Sequence, residues 1–427
     1  MPSPICRAIP GRLPTLLILP ILLIMPALPA AAEALSLKQA EALFAAHNRE
    51  LVQARRLAEA AESDVISAAA PPNPGLAIST SRISPNLGIG PGRPADKRVD
   101  TVIGLSQLIE RGNKRELRTG VARHIASAAR SDEAETGRQL RLQLQTAYYD
   151  LALAQERLLI NETSATLLEK SVAAAALRLK AGDIAETELQ RLRVEALRVR
   201  NEARQVRAER ERAQLALAYL VGLEARAATL SAADPWPEAA ERDLQPASAA
   251  LVDGRADVRA ALARAGAAEK ARDLARALRT RDVTAGIQYE RFPGDAANNS
   301  YGFAVSIPLF LRYHYEGEIR RAEIELLGAQ EQVERVRALA LAEISRAGSE
   351  LDAAAERTRR ASRQLLPASA KAAAGAEFAY SRGAISVMDL LDAQRQHHAA
   401  RLDAAGALAD YARALAVWTS ATQVPGD

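Results

Sequence analysis

The sequence predicts a mainly α protein with a β-barrel contribution, built from two tandem helix-strand-strand-long helix-helix units. Three observations carry that expectation. The first is a repeated reversal: Gly182 and Gly383, Ile184 and Ile385, and Leu189 and Leu390 each stand 201 positions apart. A glycine between two helical patterns supplies the positive φ that a tight reversal needs, and an equal interval marks a duplicated supersecondary unit. The second is a proline-free run of 68 residues over 113–180, which as one helix would reach about 100 Å. The third is composition. The 427 residues are rich in Ala, Leu, Arg and Glu, with only 4% aromatic, as expected for long helices packed through small side chains.

Residues 1–32 follow a secretory plan. Arg7 and Arg12 form a positive flank, residues 13–28 are an uncharged apolar run, and Ala30-Ala31-Ala32 offers a small-residue cleavage site. The run is short, broken by prolines and without a stop-transfer flank, so a cleaved signal is favoured over a membrane anchor. Cys6, the single cysteine, lies before that run, so the mature chain is expected to lack thiols and any disulfide framework. Losing residues 1–32 leaves 54 basic against 52 acidic side chains, which gives no case for nucleic-acid binding. Beyond residue 32 no apolar stretch approaches the ~20 residues of a membrane helix, so an integral membrane form must be a β-barrel.

In chain order, residues 35–70 show helical spacing through Leu37, Ala40, Leu43, Leu51, Ala54, Leu57 and Val65, ended by Pro71-Pro72-Asn73-Pro74. Residues 75–84 alternate apolar and polar and read as a strand; 85–97 is a Gly/Pro loop, and 99–110 is a second strand. Within the long run, Leu140, Leu144, Ala147, Leu151, Ala154 and Leu158 step by 4, 3, 4, 3, 4, a heptad seam. A return helix spans about 186–220. Residues 224–246, with Pro235, Trp236, Pro237 and Pro246, form a linker in which Trp236 packs on the helices.

The second half repeats the plan: a helix over 256–279, strands over 282–291 and 301–310, a long helix over 317–381 and a return helix over 387–419. Ile344, Ala347, Leu351 and Ala354 follow Leu144, Ala147, Leu151 and Ala154 by 200 positions, and Pro367 should kink the second long helix. The units are therefore 33–223 and 247–427. Four strands cannot close a membrane barrel, whose smallest known form has eight, so the edges must pair between subunits. Three chains would give twelve strands.

The chain resembles the TolC-type outer-membrane efflux proteins over about 35–424. The resemblance rests on Tyr380-Ser381-x-Gly383 with Asp389 and Asp392, and on Pro308-Leu309-Phe310 followed by Glu318-Ile319-Arg320. It rests also on the repeated helix-start motifs Asn48-x-Glu50-Leu51 and Arg255-x-Asp257-Val258, where Arg49 and Ala256 replace the usual prolines. Gln107-Leu108-Ile109-Glu110-Arg111-Gly112-Asn113-Lys114-Arg115 is similar to the strand end of the CzcC-like heavy-metal branch; its plainer reading is a basic interfacial girdle. The resemblance implies a homotrimeric duct with a 12-stranded outer-membrane barrel in lipid, continued by a periplasmic α-helical barrel. Its implied partners are a periplasmic adaptor and an inner-membrane RND pump, with no cofactor and no nucleic acid.

Asp389 and Asp392 are three apart on one helix face. They are either acids favoured by a helix N-terminus or, repeated threefold, a cation-selective ring. The resemblance implies that they line the periplasmic entrance and that Tyr380 latches it, although Ile385 replaces the family's tip arginine. The first tip has Glu188 and Arg191 at the matching places. The tips, Ala181, Gly182, Asp183, Ile184 and Arg382, Gly383, Ala384, Ile385, are implied adaptor-docking surfaces; their simpler reading is a helix stop. The five histidines, His47, His124, His314, His397 and His398, form no ligand cluster, so no dedicated metal site is expected. An adaptor would have one hairpin flanked by β-rich halves, whereas here the unit repeats. An enzyme reading lacks a nucleophile-base pair or phosphate loop. A drug-type or type I secretion duct remains the alternative for the cargo.

Overall fold

The computed structural model describes residues 33–424, apart from 87, 94–96, 241–247 and 294–298. The expected signal at 1–32, Pro94, Pro246 and the Gly294–Asn298 part of the second interstrand loop lie outside the described residues. The first unit opens with β1 (Glu33–Leu35), α1 (Leu37–His47) and α2 (Arg49–Ala69). The helical pattern over 35–70 is thus two helices rather than one. Asn48 has an extended backbone, and its side-chain oxygen accepts from the Leu51 N–H at 2.9 Å, which starts α2 without the usual proline.

Next come β2 (Gly75–Ser81), β3 (Asp100–Ile109), α3 (Lys114–Lys180) and α4 (Glu186–Val221). A 3₁₀ turn and β4 (Leu230–Ala232) follow, and β4 pairs in parallel with β1. The second unit is α5 (Ala249–Gly254), α6 (Ala256–Ala277), β5 (Val283–Arg291), β6 (Asn299–Ser306), α7 (Glu316–Arg360), α8 (Leu366–Ser381) and α9 (Val387–Thr422). Among the described residues no helix is long and apolar enough to cross a membrane.

β2, β3, β5 and β6 form one antiparallel sheet in the order β2-β3-β5-β6. Its register sorts most of the side chains by polarity, with Thr101, Arg291 and Asn299 ending the apolar face at its far end. Leu76 opposes Leu105, Ile78 opposes Ile103, Ile103 opposes Tyr289, Leu105 opposes Ile287, Tyr289 opposes Tyr301 and Ile287 opposes Phe303. Opposed residues share a face, so one face is a continuous apolar surface. It is uncovered: Phe303 is 87% and Tyr301 80% exposed. The other face carries Ser79, Gly104, Ser106, Gly286, Gln288, Glu290, Ser300 and Gly302, with Val102 and Leu108 as its larger apolar members. Apolar outside and polar inside is the alternation of a membrane barrel strand. Among the described residues β2 and β6 each pair on one side only, so the sheet has two open edges.

The helices bury the expected seam. Leu140, Leu144, Ala147, Leu151, Ala154 and Leu158 are all buried, as are Ile344, Ala347, Leu351 and Ala354. The duplication extends to side-chain chemistry. The Asn48 amide donates to the Leu220 carbonyl at 3.1 Å, and Arg255 Nη1 donates to the Ala421 carbonyl, 201 positions later, at 2.9 Å. Each helix-start residue therefore caps the end of its unit's return helix. The linker is pinned by two phenols: Tyr148 Oη accepts from the Ala233 and Asp234 N–H groups and donates to the Leu35 carbonyl, while Tyr411 Oη donates to the Glu238 carbonyl. Trp236 stacks on Tyr149 with ring centroids 6.2 Å apart.

The second long helix is interrupted rather than simply kinked. Residues Ala361–Leu365 form a π-helical turn immediately before Pro367. Proline lacks the N–H that would bond the carbonyl four residues back, and its ring collides with it; a locally wider turn relieves both.

Arg255 is 1% exposed and pairs with Asp257 at 2.8 Å and Glu343 at 2.7 Å. Its removal would leave Asp257 without its guanidinium and Glu343 with only the 3.4 Å contact to Arg138. Arg255→Ala should cost on the order of 3 kcal/mol, against under about 0.5 kcal/mol for Arg321→Ala, whose pair with Glu325 is exposed. Thermal melting of the two variants followed by helical circular dichroism measures the difference.

Candidate functional site at the hairpin tips

The α3–α4 and α8–α9 reversals have the same backbone. At the first, the Gly182 N–H reaches the Leu179 carbonyl (3.0 Å) and the Asp183 N–H the Arg178 carbonyl (2.9 Å). At the second, Gly383 reaches Tyr380 (3.0 Å) and Ala384 reaches Ala379 (2.9 Å). Both are Schellman closures with glycine in the left-handed region, at φ 82° and 74°. A Cβ at either glycine would meet nothing within 4 Å. The requirement is therefore backbone conformation alone. Ala181, Gly182, Asp183, Arg382, Gly383 and Ala384 are exposed, while Ile184 and Ile385 are half-buried.

The two tips are held side by side by one apolar cluster. Leu189, Leu192, Ala196 and Val199 of α4 pack with Val387 and Leu391 of α9 and with Ala165, Leu168 and Ala175 of α3. Ile184 and Tyr380 close this cluster at the tip end. The Tyr380 hydroxyl is buried with no hydrogen-bond partner among the described residues, and the Arg178 guanidinium lies 5.3 Å from its ring centroid. That cation over the ring face was not apparent from the sequence.

The carboxylates are both exposed but differently engaged. Asp389 completes a capping box: its carboxylate accepts from the Ser386 N–H (3.1 Å) and hydroxyl (2.8 Å), while Ser386 Oγ accepts from the Asp389 N–H (3.3 Å). These bonds stabilise the anion and hold the Asp389 carboxyl below its ordinary range. Ser386-x-x-Asp389 ahead of an apolar run is a sequence signal for this box. Asp392 accepts from the Gln396 amide at 2.8 Å. The first tip has no such box, because Ala185 stands where the second has Ser386.

Behind the tips lies a cavity of about 310 Å³ lined by α3, α4, α8 and α9. Glu195 is buried there and ion-paired with Arg395, which lowers its pKa chiefly through that hydrogen bond. The His398 ring is held below the ordinary histidine range, first by burial and then by Arg401, with Glu202 and Glu195 opposing. His398 Nε2 and Gln394 Oε1 are buried without a hydrogen-bond partner among the described residues, and His397 meets Ser369 Oγ at 3.1 Å. Among the described residues no group of three or more His, Cys, Asp or Glu could hold a metal ion.

The Gln107–Arg115 segment joins strand to helix. Gln107 donates to the Pro72 carbonyl (2.8 Å), and Lys114 Nζ bonds Asp282 and the Thr280 carbonyl, both at 2.8 Å. Arg118 ties Glu110 to the end of α2 through Ala68 and Ala70. Gly112 is at φ 73°, and a Cβ there would lie 2.8 Å from Thr280. The polar groups of this segment serve the junction.

A four-stranded sheet with an uncovered apolar face, continued by long paired helices, defines an outer-membrane channel architecture. The chain belongs to the outer membrane efflux protein family, whose sequence model matches residues 42–223 and 247–422. Members of this family are transport ducts rather than enzymes. The cobalt-zinc-cadmium resistance protein CzcC of Cupriavidus metallidurans is 25% identical over 389 residues, covering 88% of this chain and 87% of that protein. A membrane protein from Pseudomonas aeruginosa shares the fold with a TM-score of 0.79 at 19% identity, covering 91% of this chain and 90% of its own. The outer membrane protein VceC of Vibrio cholerae does so with a TM-score of 0.77 at 21% identity, covering 92% and 97%.

Because the folded pKa of Asp389 is depressed, the box contributes stability above the ordinary carboxylate pKa and loses it as pH falls through the lowered value. Ser386→Ala should raise the Asp389 pKa toward the ordinary range, read by NMR titration of the carboxyl carbon. Gly383→Ala should cost about 1 kcal/mol in tip stability through backbone strain alone, seen as faster amide exchange across 379–390.

Proposed function

We propose that this chain is one subunit of a trimeric outer-membrane duct in a tripartite RND-type efflux system that exports heavy-metal cations. The observation that carries the duct is the sheet. It has an apolar face in need of lipid, a polar face in need of water, and two open edges in need of strands. Three copies bring twelve strands, enough for closure. Uncovered apolar residues along α4 (Val194, Leu197, Leu215, Tyr219) and α7 (Ile324, Leu327, Leu339) support lateral packing of the helices between subunits. In this reading residues 1–32 are cleaved, 33–223 and 247–427 are the two repeats, and 224–246 is the linker.

The heavy-metal cargo is supported by the similarity to the cobalt-zinc-cadmium resistance protein across most of both chains. A duct passes cargo without retaining it, so a resident metal cluster is not required. The inner-membrane pump supplies the energy. The tips at 181–184 and 382–385, exposed except for the half-buried Ile184 and Ile385, receive the periplasmic adaptor, and Asp389, Asp392 and Tyr380 form the periplasmic gate. Asp389 combines two duties, capping α9 and contributing charge, while Asp392 contributes charge.

Two measurements test this reading. A deletion strain complemented with the gene should regain tolerance to particular divalent metal salts and not to dyes or detergents; the converse pattern makes this a drug-type duct. In planar bilayers, Asp389→Ala with Asp392→Ala should lower cation selectivity and relieve block by divalent ions at the periplasmic side. Unchanged selectivity and block would remove the gate assignment.

A further inference from the structure

We infer that Glu290 sets a second cation-selective ring, at the exit end of the barrel, held on the water-filled face by Gln288 and Ser300. The inference rests on the duct reading above. β5 leaves the helical end of the molecule at Val283 and finishes at Arg291, so Glu290 lies at the end of the sheet far from the helices. Its register neighbours are Val102 on β3 and Ser300 on β6. This row is on the polar face, opposite the face that carries Tyr289, Tyr301 and Phe303.

The carboxylate is held by neutral donors. Ser300 Oγ donates to Glu290 Oε2 at 3.0 Å, and the Gln288 amide donates to Glu290 Oε1. Among the described residues no Lys or Arg forms an ion pair with it. Asp100, also on this face, differs: it is buried and paired with Arg82 at 2.9 Å. The charge of Asp100 is cancelled locally, whereas that of Glu290 is oriented by neutral donors and meets no cationic side chain among the described residues.

The space for this arrangement is made by glycines. Gln288 is flanked in register by Gly104 on β3 and Gly302 on β6. A Cβ at Gly302 would come within 2.9 Å of Gln288 Cγ. Gln288 therefore lies over bare backbone on that side and reaches along the strand to Glu290. Carried around a threefold axis, the row places one fixed carboxylate per subunit at one level of the lumen. Such a ring enriches hydrated cations and repels anions over about a Debye length.

The test is the reversal potential of the full-length assembly in a KCl gradient. Glu290→Gln should lower the cation-over-anion permeability ratio about two-fold or more near 0.1 M salt, with the difference fading near 1 M as screening shortens the field. Glu290→Asp should retain the wild-type preference. Glu290→Cys gives a separate reading, because the sequence has no cysteine after Cys6. Modification of the assembled channel with an anionic thiol reagent should restore selectivity, and a cationic one should reverse it. Unchanged selectivity in Glu290→Gln, or an introduced thiol in Glu290→Cys that does not react from water, overturns the assignment and leaves the duct standing. A wild-type protein that forms no conducting assembly overturns both.

Discussion

The unsatisfied backbone at the two edges of the β2-β3-β5-β6 sheet governs the rest of the architecture. An N–H or C=O left open in hydrocarbon costs several kcal/mol, and each edge presents a row of them. The apolar face formed by Leu76, Ile78, Ile103, Leu105, Ile287, Tyr289, Tyr301 and Phe303 is equally unsuited to water. Both demands are met together when copies pair edge to edge around a closed barrel. In the proposed assembly the long helices have a fixed starting circle, and the heavily cross-linked strand-to-helix junctions fit that demand. Lys114, Arg118 and Asp282 bind the first junction, while Asn113 and Tyr315 enter their long helices from the same left-handed backbone.

Much of this was legible in the sequence, and the reason is periodicity. The α3 seam, its recurrence in α7, the two glycine reversals and the order of the strands all depend on patterns that local spacing reveals. What escaped was set by partners distant in the chain. The β1–β4 pair joins residues almost 200 positions apart, and nothing in three-residue strands announces it. The roles of Asn48 and Arg255 as caps on the return helices depend on where α4 and α9 end. The relief of Pro367 by a preceding π-helical turn is a choice among several ways to accommodate proline, and packing makes that choice. At the tips, Asp389 and Asp392 are legible as a helical pair and Ser386-x-x-Asp389 carries the signal of the capping box, whereas the Arg178 guanidinium over the Tyr380 ring joins residues far apart in the chain and has no local signal.

The duplicated halves differ in ways that matter at the tips. The first return helix starts at Ala185 without a side-chain cap, whereas the second starts at Ser386 with a complete box. α3 runs unbroken and buries residues nearly to its tip, while α8 follows a π-helical turn and has no buried residue. Among the described residues His398 Nε2 and Gln394 Oε1, at the cavity behind α8, have no hydrogen-bond partner, and the Tyr380 hydroxyl nearer the tip has none either. Buried polar atoms without partners lower the cost of rearrangement, because little is lost when the packing changes. The second hairpin is thus the less tightly packed of the two, and it is the hairpin that carries the proposed gate residues Tyr380, Asp389 and Asp392.

In the proposed duct the sheet closes only between copies of the chain. The mass of the mature protein, extracted in mild detergent and measured by native mass spectrometry, tests it most directly. A single assembly of three chains that requires detergent to stay in solution is the expected result. A water-soluble monomer, stable without detergent, would contradict it.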